Sequence, residues 1–73
     1  MQSVRQVVDS VVVGAQGTLR PPGTSVSDLE VFRADIAALE SMQAEGVIEI
    51  VFRHQEDHTG RRYTDIVRFK RLR

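Results

Sequence analysis

The sequence predicts an α+β domain in which two or three helices are followed by a two-stranded antiparallel β-hairpin. Residues 35–45 carry apolar side chains at helical spacing, and Gly46 directly after them is typical of a helix end. Two runs rich in β-branched and aromatic residues, 47–54 and 62–72, follow with a polar loop between them, which is the pattern of a hairpin. Most of the positive charge of the chain lies in that hairpin.

The composition indicates one small domain covering residues 1–73. The chain has no cysteine, which excludes disulfides and thiolate zinc sites. No apolar run approaches the roughly 20 residues of a membrane span, and the N-terminus lacks the pattern of a signal peptide. We therefore expect a cytoplasmic protein without a membrane partner, and whether the chain is a whole protein or an excised domain stays open.

The N-terminal part of the chain carries one apolar stripe at helical spacing: Val4, Val7, Val8, Val11, Ala15 and Leu19. This stripe predicts a helix over about residues 3–16, with Gly14 and Gly17 loosening its end. The valine content argues the other way, because β-branched side chains lose rotamer freedom in a helix. Residues 11–13 are compatible with a buried strand instead.

A Pro-Pro-Gly segment beginning at Pro21 is predicted to connect two helices, since it cannot continue a helix. The second helix is predicted to begin at Ser27, which as N-cap would form a capping box with Glu30. Its apolar positions are Leu29, Phe32, Ile36, Leu39 and Met42. Their spacing favours one unbroken helix over residues 27–45, while a helix-turn-helix with a turn near residues 33–35 stays open.

The alternation of apolar residues predicts the register of the hairpin, because only one pairing brings the apolar faces of both strands to the same core. The predicted cross-strand pairs are Phe52 with Val67, Ile50 with Phe69, Glu49 with Lys70 and His54 with Asp65. A slip by one residue would bury Arg68 and Lys70 beside the isoleucines. The residues predicted to form the core are Ile36, Leu39, Phe52 and Phe69.

The helix that ends at Gly46 and the strand behind it share the packing pattern Ile36-x-x-Leu39-x-x-Met42-x-x-x-Gly46-Val47-Ile48. In this pattern the chain resembles the winged helix-turn-helix superfamily, and the resemblance covers about half of the chain. It implies a small winged-helix-like domain in which the hairpin is the wing. It also implies a DNA-binding module with a regulatory role in transcription.

The distribution of charge points to a polyanion as partner. Residues 1–46 carry a net charge of −3 and residues 47–73 a net charge of +3, with histidines neutral. The residues predicted to contact nucleic acid are Arg33, Arg53, Arg61, Arg62, Arg68, Lys70 and Arg71. Arg61 and Arg62 lie at the tip of the predicted wing, from which they would reach phosphates or the minor groove of duplex DNA. A solvated strand face is the alternative interpretation of the same charges.

The surface of the helix that precedes the wing is poorly suited to the recognition of DNA bases. Its exposed positions include Asp35, Glu40 and Glu45, and phosphate-lined grooves repel carboxylates. The prediction is therefore phosphate contact through the basic wing.

A protein-protein docking or dimerisation module is the alternative function. The outer face of the hairpin carries Val51 and Ile66 among charged residues, and an exposed apolar patch is unusual on a lone small domain. These two residues are the predicted interface, with a homodimer as one arrangement. Alternatively, the N-terminal helix covers them.

The sequence predicts neither an enzyme nor a cofactor. His54 and His58 have the spacing of a zinc pair on a helix, but they lie in a loop without an obvious third ligand, so no metal site is predicted. The sequence supports no Ser-His-Asp or Cys-His arrangement, and it contains no glycine-rich phosphate loop.

Overall fold

The structure, a computed structural model, describes residues 3–73. Its elements follow the order α1 (Val4–Asp9), β1 (Gln16–Leu19), α2 (Val26–Ala44), β2 (Ile48–Gln55) and β3 (Thr64–Arg71). The strands form one antiparallel sheet in the order β1-β3-β2, so that the last strand in sequence is the central one. The predicted α+β class is confirmed, and the sheet has three strands where the sequence predicted two.

Both helices contribute to a single core on one face of the sheet. The core consists of Val4, Val8, Leu19, Phe32, Ile36, Leu39, Met42, Ile48, Val67 and Phe69. Three of the four predicted core residues are among these, whereas Phe52 is 46% exposed. Because alternate residues of a strand point to opposite sides, Arg68 and Lys70 of β3 lie on the other side of the sheet, which we call the open face.

The first helix is shorter than the predicted 3–16. Ser3 begins it through a capping box with Gln6, and the helix ends at Asp9. The valines that follow are β-branched and disfavour a helix, and Gly14 has a φ of +89°, which a helix does not contain. The chain turns there and enters the sheet as β1, a strand that the helical pattern did not predict.

The first strand fits against the central one because residue 17 is glycine. Gly17 lies opposite Phe69 in the β1–β3 ladder. A Cβ atom at this position would lie 2.7 Å from Cζ of Phe69 and 2.7 Å from Cγ2 of Val11, which is closer than van der Waals contact allows. The missing side chain therefore makes room for the fully buried Phe69 ring.

The second helix runs without interruption from Val26 to Ala44, so the predicted unbroken helix is confirmed and no turn divides it. Its N-cap is Ser25 and not the predicted Ser27. The Oγ of Ser25 accepts a hydrogen bond from the backbone N–H of Asp28 at 3.1 Å and donates to the Asp28 carboxylate at 2.8 Å. Two Ser-x-x-acid patterns overlap in this segment, and the helix uses the earlier one.

The helix ends at the predicted glycine. Gly46 has a φ of +78°, a conformation that favours glycine. The backbone N–H of Val47 donates to the carbonyl of Met42 at 3.0 Å, as in many glycine-terminated helices. The chain enters β2 directly afterwards, at Ile48.

The register of the hairpin is the predicted one near α2 and changes in the middle of β2. Ile50 lies opposite Phe69 and Glu49 opposite Lys70, as predicted. The register then shifts between Ile50 and Phe52, which makes Val51 the extra residue of a β-bulge.

The bulge exchanges the two faces of the rest of β2. Phe52 pairs with Arg68 and Arg53 pairs with Val67, so the predicted pairing of Phe52 with Val67 is wrong. One inserted residue is enough for this exchange, because side chains alternate with a period of two. Arg53 thereby lies on the helix side, with its guanidinium 3.4 Å from the carboxylate of Glu40, and Phe52 lies on the open face.

Truncation of Leu39 to alanine should destabilise the domain by about 2–5 kcal/mol, because the leucine side chain is fully buried. Phe52→Ala should cost about 1 kcal/mol or less, since nearly half of that residue is already exposed. Urea unfolding followed by circular dichroism measures both changes. Equal losses for the two variants would contradict the position of Phe52 on the open face.

Candidate nucleic-acid interface

Three of the predicted nucleic-acid contacts meet around one cavity. Arg33 comes from α2, whereas Arg61 and Arg62 come from the loop between β2 and β3. The cavity has a volume of about 490 Å³ and is lined by Arg33, Ile36, Ala37, Glu40, Arg61, Arg62, Tyr63 and Thr64. We call it the arginine cleft. The fold thus joins cations that are 28 residues apart in sequence (33 and 61).

The loop that carries two of these arginines is organised by a buried carboxylate. Glu56 is 2% exposed and accepts hydrogen bonds from the backbone N–H of Thr59 at 2.9 Å and of Tyr63 at 3.0 Å. The hydroxyl of Thr59 also donates to it, and Nδ1 of His58 lies 3.2 Å away. The hydroxyl oxygen of Thr59 in turn accepts a hydrogen bond from the backbone N–H of Arg61 at 3.1 Å. A single side chain therefore fixes both ends of the loop.

The same contacts keep Glu56 ionised. The hydrogen bond from the Thr59 hydroxyl, the bonds from the N–H groups of Thr59 and Tyr63, and the nearby His58 lower the pKa of Glu56 from 4.5 to about 2. Burial acts in the opposite direction, but the donors outweigh it. At neutral pH the loop is thus built around a fixed negative charge.

Arg61 is tied to α2 through a tyrosine. Its Nη1 donates to the hydroxyl of Tyr63 at 3.4 Å, and that hydroxyl donates to the carboxylate of Glu30 at 3.0 Å. The Tyr63 hydrogen bond raises the pKa of Arg61 above its usual value. Arg61 also lies 3.9 Å from Glu30, at the limit of an ion pair. These contacts orient the guanidinium at the edge of the cleft while 64% of the side chain stays exposed.

Arg62 has a strained backbone. Its φ of 55° lies in the left-handed region, and among residues 3–73 it is the one residue other than glycine with a positive φ. A long side chain in this conformation costs on the order of 1–3 kcal/mol, and such residues concentrate at functional sites. The fold tolerates this cost at a position where the side chain lines the cleft.

Arg53 lies beside the cleft but is already paired. Its guanidinium is 3.4 Å from the carboxylate of Glu40, which itself lines the cavity. Both side chains are about half exposed, so the pair is weak and open to competition from a stronger anion.

The C-terminal arginines bind the protein's own backbone. Nη1 of Arg71 donates to the carbonyl oxygens of Asp9, the last residue of α1, at 3.1 Å and of Val11, two residues later, at 2.7 Å. Arg73 donates to the carbonyls of Gly46 at 3.2 Å and Glu45 at 3.3 Å, at the end of α2. Positive charge at a helix C-terminus is favourable, so these two residues stabilise both helix ends. Arg71 is therefore a structural residue in this fold and lies apart from the arginine cleft.

The remaining predicted cations lie on the open face. Arg68 is opposite Phe52, and its Cζ is 5.7 Å from the centroid of that ring. Lys70 is opposite Glu49 on the next row of the same face. The seven predicted contacts therefore fall into three places: the cleft with its neighbour Arg53, the open face, and the end of α1, where Arg71 binds backbone carbonyls.

The predicted interface residues are close to the open face. Val51 is the bulge residue and is 41% exposed, while Ile66 is half-buried. The alternative that the N-terminal helix covers this surface is wrong, because α1 packs against α2 and β1 on the core side. Exposed apolar surface thus remains at the bulge.

The two histidines have structural contacts. The predicted cross-strand pair of His54 with Asp65 is wrong, because the bulge shifts the register and His54 lies opposite Ile66. The side chains still meet, since Nδ1 of His54 is 2.6 Å from the Asp65 carboxylate, and Nε2 of His58 is 3.2 Å from the carbonyl of Thr24. Among residues 3–73, histidines and carboxylates form no cluster of three or more with the geometry of a metal site. His58 joins the hairpin loop to the segment in front of α2.

Glu56 is the residue of this region that sequence reasoning missed. The one available signal is its position three residues before Thr59, whose hydroxyl and backbone N–H are both donors. Nothing in the sequence alone distinguishes it from the neighbouring exposed Asp57.

In the part of the chain that the structure describes, no helix combines the length and apolarity needed to cross a membrane. Comparisons of the chain with protein-family models, with curated proteins and with solved structures find no match. The winged-helix resemblance therefore stays a prediction.

Substitution Glu56→Gln should make the domain less stable at pH 7, because an amide cannot accept all the hydrogen bonds that the carboxylate accepts. A carboxyl group with a lowered folded-state pKa stabilises the fold above about pH 4.5, and this contribution is lost as the pH falls toward about 2. The stability difference between wild type and variant should therefore shrink over this range. Urea unfolding at a series of pH values measures it.

Asp57→Asn is the matched control, since it removes a carboxyl group from the exposed neighbouring position. It should change stability little at any of these pH values. A constant difference between wild type and Glu56→Gln from pH 7 to 2 would contradict the proposed charge at the centre of the loop.

Proposed function

We propose that this protein binds nucleic acid and that the arginine cleft contacts the phosphate backbone. The observation that carries this proposal is the convergence of Arg33, Arg61 and Arg62 on one cavity. Guanidinium groups present several planar N–H donors and bind phosphate with two hydrogen bonds at a time. Three of them around one concave surface match the charge and the donor pattern of a phosphodiester.

The local charge supports the same proposal. Around the cleft lie the four arginines 33, 53, 61 and 62 and three carboxylates, those of Glu30, Glu40 and the buried Glu56 of the same loop, which leaves one positive charge in excess. The chain as a whole is neutral, so this excess is a local feature. A localised positive surface raises the rate at which a polyanion associates with it.

The acidic surface of α2 limits the mode of binding. Glu30 and Glu40 are the carboxylates of α2 nearest to the cleft, and each lies within 4 Å of an arginine. A helix with this charge is repelled from a groove between phosphates, so base recognition by α2 is disfavoured. Contact with phosphates alone positions a nucleic acid without reading its sequence. We therefore retain only the basic wing from the winged-helix resemblance and not base recognition by the helix.

The test is a combined variant with Arg33→Ala, Arg61→Ala and Arg62→Gly. Glycine is chosen at position 62 because it adopts the φ of 55° without strain, so lost binding would not reflect a distorted loop. Affinity for labelled DNA, both duplex and single-stranded, is measured by fluorescence anisotropy over a range of salt concentrations. Each lost phosphate contact should flatten the plot of log K against log salt by about 0.9 for duplex or about 0.7 for a single strand.

The matched control is Arg5→Ala. Arg5 is an exposed arginine that pairs with Asp9 on α1, outside the cleft. Its loss should leave both affinity and salt slope unchanged. Equal binding by wild type and the combined variant at low salt would contradict the cleft as the phosphate site, and absence of any binding by wild type would contradict the proposed function.

Self-association is a second candidate, favoured by the exposed apolar pair on an edge strand. Val51 and Phe52 are 41% and 46% exposed, and within residues 3–73 β2 pairs only with β3. The side chain of Gln43 covers part of the free edge, because it accepts from the backbone N–H of Ile50 at 2.7 Å. The bulge further interrupts this edge, so strand addition by a second copy is disfavoured but contact through side chains is not.

The double substitution Val51→Thr and Ile66→Thr tests self-association. If these residues form an interface, wild type should sediment as a dimer and the variant as a monomer, while DNA binding is unchanged. Monomeric wild type at all concentrations tested by analytical ultracentrifugation would exclude this candidate.

A further inference from the structure

The open face of the sheet has two cross-strand rows of polar and aromatic residues. In one row, Arg68 of β3 lies between Thr18 of β1 and Phe52 of β2. In the next row, Lys70 lies between Gln16 and Glu49. Both helices pack on the opposite side, and within residues 3–73 all six of these residues are exposed. These two rows are thus polar apart from the ring of Phe52, and the next row of the same face pairs His54 with Ile66.

The aromatic ring is on this surface because of the bulge. Without the extra residue at Val51, Phe52 would lie opposite Val67 and face the core. A bulge often re-aims a side chain beside a functional site. Here it moves the largest apolar side chain of β2 from the core to the open face, where it is 46% exposed.

Phe52 and Arg68 together form a stacking surface. The guanidinium carbon of Arg68 is 5.7 Å from the ring centroid, so the planar cation lies over the ring. Aromatic rings and guanidinium planes are the two side-chain surfaces on which unpaired bases stack. Bases within a duplex present only their edges, because their faces are already stacked. Such a pair therefore distinguishes single strands from duplexes.

We propose that the open face binds single-stranded nucleic acid, with a base stacked on the Phe52–Arg68 pair and the adjacent phosphate near Lys70. The proposal deepens the proposed function and rests on it, since it names the class of nucleic acid. Charge complementarity supports this occupant, because two cations face one carboxylate, Glu49, in the two rows. Thr18 and Gln16 supply neutral hydrogen-bonding groups beside both cations.

The composition of the face argues against a second copy of the chain as occupant. A standard interface buries about 800 Å² on each partner around an apolar centre. In the two rows, Phe52 is the one apolar side chain; the exposed Val51 and the half-buried Ile66 lie next to it, and the remaining residues of both rows are polar or charged.

The experiment compares Phe52→Ala with wild type for a fluorescently labelled oligothymidylate and for a duplex of equal length. Loss of the ring should weaken binding of the single strand about 5- to 150-fold, the equivalent of one lost base stack. The salt slope should stay unchanged, because no charge is removed. Circular dichroism verifies that the variant is folded. Val31→Ala, which truncates an exposed apolar residue on α2, should have no effect.

Two further variants separate stacking from charge. Arg68→Lys keeps the charge but loses the guanidinium plane, so it should weaken single-strand binding without a change in salt slope. Phe52→Trp should bind at least as well as wild type and, because the chain has no other tryptophan, should show quenched fluorescence when oligothymidylate stacks on it.

The outcomes distinguish this inference from the proposed function. Unchanged single-strand affinity in Phe52→Ala, together with loss of binding in the combined arginine variant, would overturn the stacking site and leave the cleft in place. Loss of binding in Phe52→Ala with an unaffected arginine variant would support the open face and overturn the cleft. Conversion of a dimer to a monomer by Phe52→Ala would identify the face as a self-association surface and overturn the inference.

Discussion

The burial of Val67 and Phe69 on one side of the central strand is the constraint that the rest of the molecule satisfies. Both side chains are fully buried, and every layer of the fold contributes residues to the cluster around them. Gly17 leaves space for the Phe69 ring, which allows β1 to pair on one side. On the other side β2 keeps its apolar residues in register only up to Ile50. The two faces of the sheet, and with them the candidate surfaces, follow from this arrangement.

At the bulge of Val51, β2 changes from a strand that packs its apolar residues into the core to one that exposes its aromatic residue. Before it, β2 contributes Ile48 to the core as a regular amphipathic strand. After it, a charged residue, Arg53, takes the inward row and reaches a carboxylate on α2, where the helix surface is already half exposed. The charge of Arg53 is therefore paired and not buried alone, and Phe52 lies on the open face instead of in the inward row.

Arginine has different uses in different parts of this small chain. Arg71 and Arg73 stabilise the backbone carbonyls at the ends of the two helices, where water would otherwise be their partner. Arg61 and Arg62 are held by a loop whose own charge balance is set by Glu56. The net charge counted along the sequence does not distinguish these uses. A guanidinium that already donates to backbone carbonyls of the protein contributes less to the attraction of a distant anion. Position in the fold therefore decides which of the cations can serve as contacts.

The sequence predicted those features that depend on local patterns. The unbroken α2, its end at Gly46 and the first pairs of the hairpin each follow from spacing within a few residues. The bulge was not predicted, because Val51 is as suitable for a regular strand as for an irregular one. The four residues of β1 were also missed, since they become a strand only through pairing with distant residues. The meeting of Arg33 with Arg61 and Arg62 depends on the same tertiary arrangement, so sequence suggested each residue but not their common cavity.

The position of β3 in the sheet has a consequence for how the chain folds. It is the last strand in sequence and the only neighbour of the other two among the described residues, with Leu19 paired to Val67 across 48 positions (19 and 67). A nascent or partly folded chain that lacks β3 has no sheet on which its helices can bury their apolar sides. Pairing over such a separation requires a large loop to close before contacts compensate for the lost chain entropy, which slows folding. We therefore expect the hairpin, whose strands are close in sequence, to form before β1 and α1 add to it.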